Sequence, residues 1–197
     1  MTTMTLTETG TRQRIDLGAA FKHGWRLFIK DVVPLLIATV VATLLSIVTV
    51  GILAGPLYAG LYQMVLARVK DGKEPSWDDV FGGLDRFWAY LGAALFLVIV
   101  VGLAWITIVG GVLLGTIWLY VFPLMVDKRM GLGEALGTSY RMVRENGFLE
   151  HLVLVILFAV IGSIGGPAFL LTAPFTIVAT MAAYYLADGR GEELEKA

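Results

Sequence analysis

Three stretches of this chain, 32–67, 87–126 and 152–187, contain no Asp, Glu, Lys or Arg. At 1.5 Å of helical rise per residue, each reaches about 54–60 Å. The hydrocarbon core of a bilayer is about 30 Å thick. One span cannot use that length, whereas two spans joined by a tight turn can. Glycines stand inside each stretch where a turn is needed: Gly51 and Gly55, Gly110 and Gly111, Gly165 and Gly166. The spacing predicts an all-α, polytopic membrane protein of six transmembrane helices, folded as three tandem hairpins. The third turn has two candidate positions, near Gly165 or near Thr172, because Gly162, Pro167 and Pro174 also punctuate that stretch.

Composition points the same way. Hydrophobic residues make up 57% of the chain and charged residues 16%, with a mean hydropathy of +0.79. Soluble domains carry about 25% charge. The net charge of −1 and the lack of a basic tract argue against nucleic acid as a partner. Cysteine is absent, which excludes disulfides, thiolate metal sites and cysteine nucleophiles. Residues 1–16 are polar and threonine-rich, without the apolar core of a cleavable signal peptide, and are expected to be disordered.

All 15 basic residues fall on one side of a six-span arrangement. Basic residues mark the cytoplasmic side. The expectation is that both termini lie in the cytoplasm. Residues 190–197 are expected to form a polar C-terminal tail.

A shorter amphipathic segment precedes each hairpin. Its apolar positions are Leu17, Ala20, Phe21, Gly24, Trp25 and Phe28 in the first copy. They are Trp77, Val80, Phe81, Leu84 and Trp88 in the second, and Leu132, Ala135, Leu136, Tyr140 and Val143 in the third. This is the spacing of a one-faced helix lying at the membrane interface. Asp16 can cap the first segment, and Ser76 with Asp79 makes a capping-box pattern for the second. Asn146-Gly147 is a stop signal for the third. Asp71-Gly72 and Asp188-Gly189 close the first and last units alike. The chain therefore divides into a membrane domain, 17–189, of three parallel units: 17–72, 77–131 and 132–189. Like units offering like faces are expected to pack around a pseudo-threefold axis.

Chemistry is sparse. No ionisable residue lies inside the apolar stretches, which argues against a proton-coupled pump. Gln63, Thr107 and Thr176 are the candidates for a polar lining, although Thr in membrane helices mostly bonds to its own backbone. The motifs Gly51-x-x-x-Gly55, Gly111-x-x-x-Gly115 and Gly162-x-x-x-Gly166 suit close helix packing. His23 and His151 lack a carboxylate at metal-ligand spacing, so no metal is expected. The glycine-rich run 131–137 follows a membrane span rather than a strand and is not read as a dinucleotide loop. No nucleophile–base arrangement is found, so the chain is not read as an enzyme and no cofactor is expected. Arg26, Arg86 and Arg141 occupy the same place in the three units and are candidates for lipid head-group contacts. Tryptophans and tyrosines near the span ends suit the aromatic belt.

Some residues carry a resemblance. They are Gly55-Pro56-Leu57-Tyr58-Ala59-Gly60-Leu61-Tyr62, then Arg68, Gly72-Lys73-Glu74-Pro75-Ser76, Pro123-Leu124-Met125-Val126-Asp127, Ala135, Ser139 and Asn146. Over roughly 17–189 the chain resembles the YciC-like bacterial membrane proteins and the membrane domain fused to some glycerophosphodiester phosphodiesterases. The resemblance implies a bacterial inner-membrane protein of the same architecture and implies no activity; the phosphodiesterase catalytic domain is absent, so that activity is not carried over. Two functions are carried forward. One is a non-enzymatic membrane protein that organises lipid, or binds a protein partner or a second copy, through its cytoplasmic helices. The other is a channel or facilitator for a small neutral solute.

Overall fold

Asp16 starts the first helix as a capping residue should: its carboxylate accepts the Ala19 N–H at 3.1 Å. The computed structural model describes residues 15–163 and 169–197, and among them every regular element is helical. Most of the segment 1–16 and the glycines of the third turn therefore lie outside the described residues. Helix α1 (Leu17–Lys30) stops at Asp31, and α2 (Val32–Val48) leaves it at 87°. Val50 and Gly51 both take positive φ, 52° and 85°, and turn the chain into α3 (Ala54–Asp71). Gly72, at φ 64°, ends α3.

The capping box at Ser76 and Asp79 is present, but the segment it opens, Trp77–Arg86, is a 3-10 helix. It runs into α4 (Phe87–Ala104). The second turn lies at Trp105, Ile106 and Thr107, ahead of the expected Gly110 and Gly111. Those glycines sit inside α5 (Ile108–Ile117), and Gly111 gives the Trp105 ring room against the helix: a Cβ there would lie 2.5 Å from it. Thr107 Oγ1 donates to the Ala104 carbonyl at 3.1 Å and closes the turn. After a break at Trp118–Tyr120 comes α6 (Val121–Asp127). Helix α7 (Leu132–Glu145) and α8 (Phe148–Gly162) meet at 111°, with Gly147 at φ 101° between them. Helix α9 (Phe169–Ala187) contains Thr172, which removes that position as a turn. The expected tail instead forms a short helix, α10 (Gly191–Lys196).

Three helical stretches are long and apolar enough to cross a membrane: Trp77–Ala104, Ile108–Asp127 and Phe169–Ala187. The bent pairs α1–α2 and α7–α8 raise the number to five if each counts as one span. The sixth expected span, α3, is not among them, and three of its eighteen residues, Arg68, Lys70 and Asp71, are ionisable. Helices α2 and α8 have 17 and 15 residues. They reach only about 25 and 22 Å, short of the ~30 Å hydrocarbon core.

Packing follows one rule around the molecule. Helices α3, α6 and α9 touch one another pairwise at the centre. Their facing side chains, among them Leu57, Leu61, Met64, Leu124, Met125 and Met181, are at most 1% exposed. Helix α4 lies on α3, α8 on α5, and α2 on α9. The shorter elements follow suit: the 3-10 segment lies on α3, α7 on α6, and α1 on α9. Small residues permit the contacts, as between membrane helices generally. The backbone at Gly60 meets Val80, and that at Gly83 meets Pro56.

Candidate functional site

The charged ends of the three central helices converge on one carboxylate. Asp127, the last residue of α6, has a side chain only 2% exposed. It pairs with Lys70 from the last turn of α3 and accepts from Tyr184 Oη of α9 at 2.7 Å. Arg190, just beyond α9, donates to it at 2.7 Å. Around this centre, Lys128 pairs with Asp188 at 2.6 Å, and the Arg190 guanidinium lies 4.4 Å from the centre of the Tyr185 ring. Arg190 also holds Glu193 through two bonds, at 2.8 and 2.9 Å. That pairing pushes the Arg190 pKa up and holds the Glu193 carboxyl below its ordinary value. Because the Glu193 pKa falls on folding, its contribution is present above the ordinary glutamate range. It is lost as the pH drops through the folded value.

A second set of contacts ties each bend to the long helix that follows. Asp31, between α1 and α2, pairs with Arg68 of α3 at 2.9 Å, both side chains being about nine-tenths buried. Arg86, where the 3-10 segment meets α4, donates to the Met125 carbonyl of α6 at 3.3 Å, and Tyr90 Oη donates to the same oxygen at 3.4 Å. Asn146, between α7 and α8, donates to the Ala187 carbonyl of α9 at 3.1 Å. Three different side chains thus join three helix junctions to the central helices α3, α6 and α9. A fourth stitch joins α7 to the break after α5. Buried Ser139 donates to the Ile117 carbonyl at 2.8 Å and accepts the Tyr120 N–H at 3.1 Å. It satisfies two backbone groups that would be costly to bury alone.

The candidate head-group arginines do not share an environment. Arg26 donates to the Leu194 carbonyl of α10, Arg86 to Met125, and Arg141 only to Thr138 on its own helix, at 3.3 Å. Nor does the fold gather the candidate lining residues. Gln63 lies under Gly82 of the 3-10 segment, in a cleft shared with Lys73, Asp78 and Asp79, which includes neither threonine. Thr107 closes its turn, and Thr176 donates to the Thr172 carbonyl at 2.8 Å. His151 is fully buried, its Nδ1 2.6 Å from the Gly147 carbonyl and its ring edge-on to Tyr120.

Sequence reasoning named Asp127 and Arg68 only as residues of the resemblance, and gave no role to Lys70, Arg190 or Asp31. Each lies just outside an apolar stretch, where a charge reads as ordinary flanking residue. The available signal was the run Asp127-Lys128, placed against the end of a central span like Asp71 and Asp188. Among the described residues no group of three His, Cys, Asp or Glu could hold a metal ion. No protein-family model, curated protein or solved structure matches this chain.

Proposed function

We propose that this chain is a non-enzymatic, multi-pass protein of the bacterial inner membrane, which binds a protein partner on its charged cytoplasmic face. The observation that carries this reading is how the three shorter elements are used. Part of their apolar surface is packed against neighbouring helices: Ala20, Gly24, Leu27 and Phe28; Val80 and Gly83; Ala135, Met142 and Val143 are buried, whereas Trp25, Trp77, Phe81, Leu84 and Tyr140 stay exposed. Exposed beside them are charges of both signs, among them Lys22, Lys30, Asp78, Glu134, Arg141 and Arg144. Buried residues fix each element to its neighbours and the exposed aromatics suit the membrane interface, which leaves the charges facing the aqueous side, where they suit a charged protein surface. Lipid meets the outward apolar belt, where Val48, Val98 and Ile106 are exposed.

The recurring neighbour rule supports three tandem units of two spans each, arranged cyclically, with all basic residues and both termini on the cytoplasmic side. In this arrangement α3 is the sixth span, its charged last turn at the cytoplasmic boundary. The resemblance to YciC-like proteins agrees with such an architecture. Because the chain has no cysteine, single cysteines report topology cleanly. Cysteines at Gly72 and Gly131 should be labelled only from the cytoplasmic side, and one at Gly51 only from the other. Labelling of Gly72 and Gly51 positions from the same side would remove the six-span arrangement.

The channel reading has less support. The centre between α3, α6 and α9 is filled by leucine and methionine and closed at its charged end by Asp127. The clefts between α5 and α8, and between the first turn and α4, are lined by apolar residues such as Ile108, Ile156, Leu95 and Val98. Purification in native-lipid particles, with bound protein and lipid identified, tests the proposal. A bound protein should be lost on charge reversal at Arg141 and Arg144 and at high salt. Retention of lipid alone, with rapid flux of neutral solutes in liposomes, would overturn it.

A further inference from the structure

The chain places its own acidic segment on a basic cradle. Helix α10 reads Gly191-Glu192-Glu193-Leu194-Glu195-Lys196, three acids around one leucine. Leu194 is fully buried, and α10 packs on both α9 and α3. Around it stand cations from three other parts of the fold. Arg26 donates to the Leu194 carbonyl and Lys30 to that of Ala197. Lys70 attracts Glu193 from α3, and Arg190 binds it directly. His23 faces the field of Glu195.

The helix itself has six residues, far below the ~12–15 needed for a stable isolated helix. It is helical because it is docked. The connection allows it to leave: Gly189, at φ 74°, is the single positive-φ residue between α9 and α10. One apolar anchor, part-buried polar contacts and a short tether hold a helix of only six residues, a unit small enough to open locally.

We propose that the cradle of Arg26, Lys30, Lys70 and the Leu194 pocket is a docking site for an acidic, leucine-bearing segment of a partner protein. Helix α10 is its built-in competitor. This rests on the partner-binding reading of the same face and names the chemistry of that partner. Arg26 and Lys30 hold backbone oxygens, the positive field of Lys70 beside them favours an acidic segment, and the buried pocket selects one branched aliphatic side chain. A partner displaces α10 by offering the same pattern with more contacts around it.

The test uses the full chain in detergent and a fluorescent peptide carrying residues 189–197 as the probe. In wild type α10 covers the cradle, and the peptide should bind weakly. Leu194→Glu puts a charge where the leucine is buried and expels the attached helix. That variant should bind the peptide at least about tenfold more tightly, a difference in mass action removed with the competitor. The peptide with Leu194→Glu should not bind, and adding Arg26→Glu to the open variant should remove the gain. Thermal unfolding checks that the open variant is folded. If it is not, Glu193→Lys loosens α10 without burying a charge and carries the same comparison. Equal affinity in closed and open chains, or no saturable binding to either, would overturn the proposal. That result would leave untouched a partner lost on charge reversal at Arg141 and Arg144, so the two readings fail separately.

Discussion

Asp127→Ala is expected to destabilise the folded protein by about 3 kcal/mol, the lower end of the cost of removing one partner from a buried ion pair. The carboxylate is almost completely buried, and it serves Lys70, Tyr184 and Arg190 at once. Its loss takes the acceptor from Lys70 and from the Tyr184 hydroxyl and leaves Arg190 with Glu193, at the point where α3, α6 and α9 meet. The lower end applies because Lys70 is 36% and Arg190 22% exposed. Both recover some water when the carboxylate is gone. Asp127→Asn keeps an acceptor for Tyr184 and removes the charge, so it should fall between wild type and alanine. Thermal or denaturant unfolding in detergent reads the difference. A loss below about 1 kcal/mol would place Asp127 among ordinary surface pairs.

Gly60→Ala should be the other large effect. A Cβ at Gly60 would lie 1.8 Å from the Val80 carbonyl oxygen, and one at Gly83 would lie 2.0 Å from that of Pro56. The atoms in the way are backbone, so no side chain can rotate aside. The 3-10 segment must move off α3, and Val80, now fully buried, is uncovered with it. Overpacking of ordinary cores costs about 1–3 kcal/mol. A clash between two backbones should reach or pass the upper value. The control is Gly137→Ala, inside α7, where no heavy atom lies within 4 Å of the new methyl group. There alanine should stabilise by about 1 kcal/mol through helix propensity alone. Opposite shifts in unfolding temperature are expected, and shifts of the same sign would show that α3 and the 3-10 segment are not held this closely.

Much of the helical layout was legible in the residues. Local chemistry announces its own ends: Asp16 caps α1, the Ser76–Asp79 box opens the next segment, and Gly72, Gly147 and Gly189 take the positive φ that ends or turns a helix. Other expectations shifted for reasons of packing. The turn at Trp105–Thr107 precedes Gly110 and Gly111 because Gly110 lies against Thr107 and the Ala104 carbonyl and Gly111 makes room for the Trp105 ring. The segment after Ser76 tightens to a 3-10 helix where Gly82 and Gly83 run along α3. The tail became a docked helix because one leucine among acids, too short a pattern to show periodicity, found a pocket.

The sequence by itself determined that the chain is helical and apolar, where several of its helices start or stop, and which flanks carry charge. These properties depend on neighbours within a turn or two of the chain. Only the tertiary structure decided which helices touch, and therefore which charges matter. Arg190 reaches Asp127 across 63 positions, and Lys128 reaches Asp188 across 60. Such partners are chosen by the ends that packing brings together, and a carboxylate gains its importance from the burial it meets there.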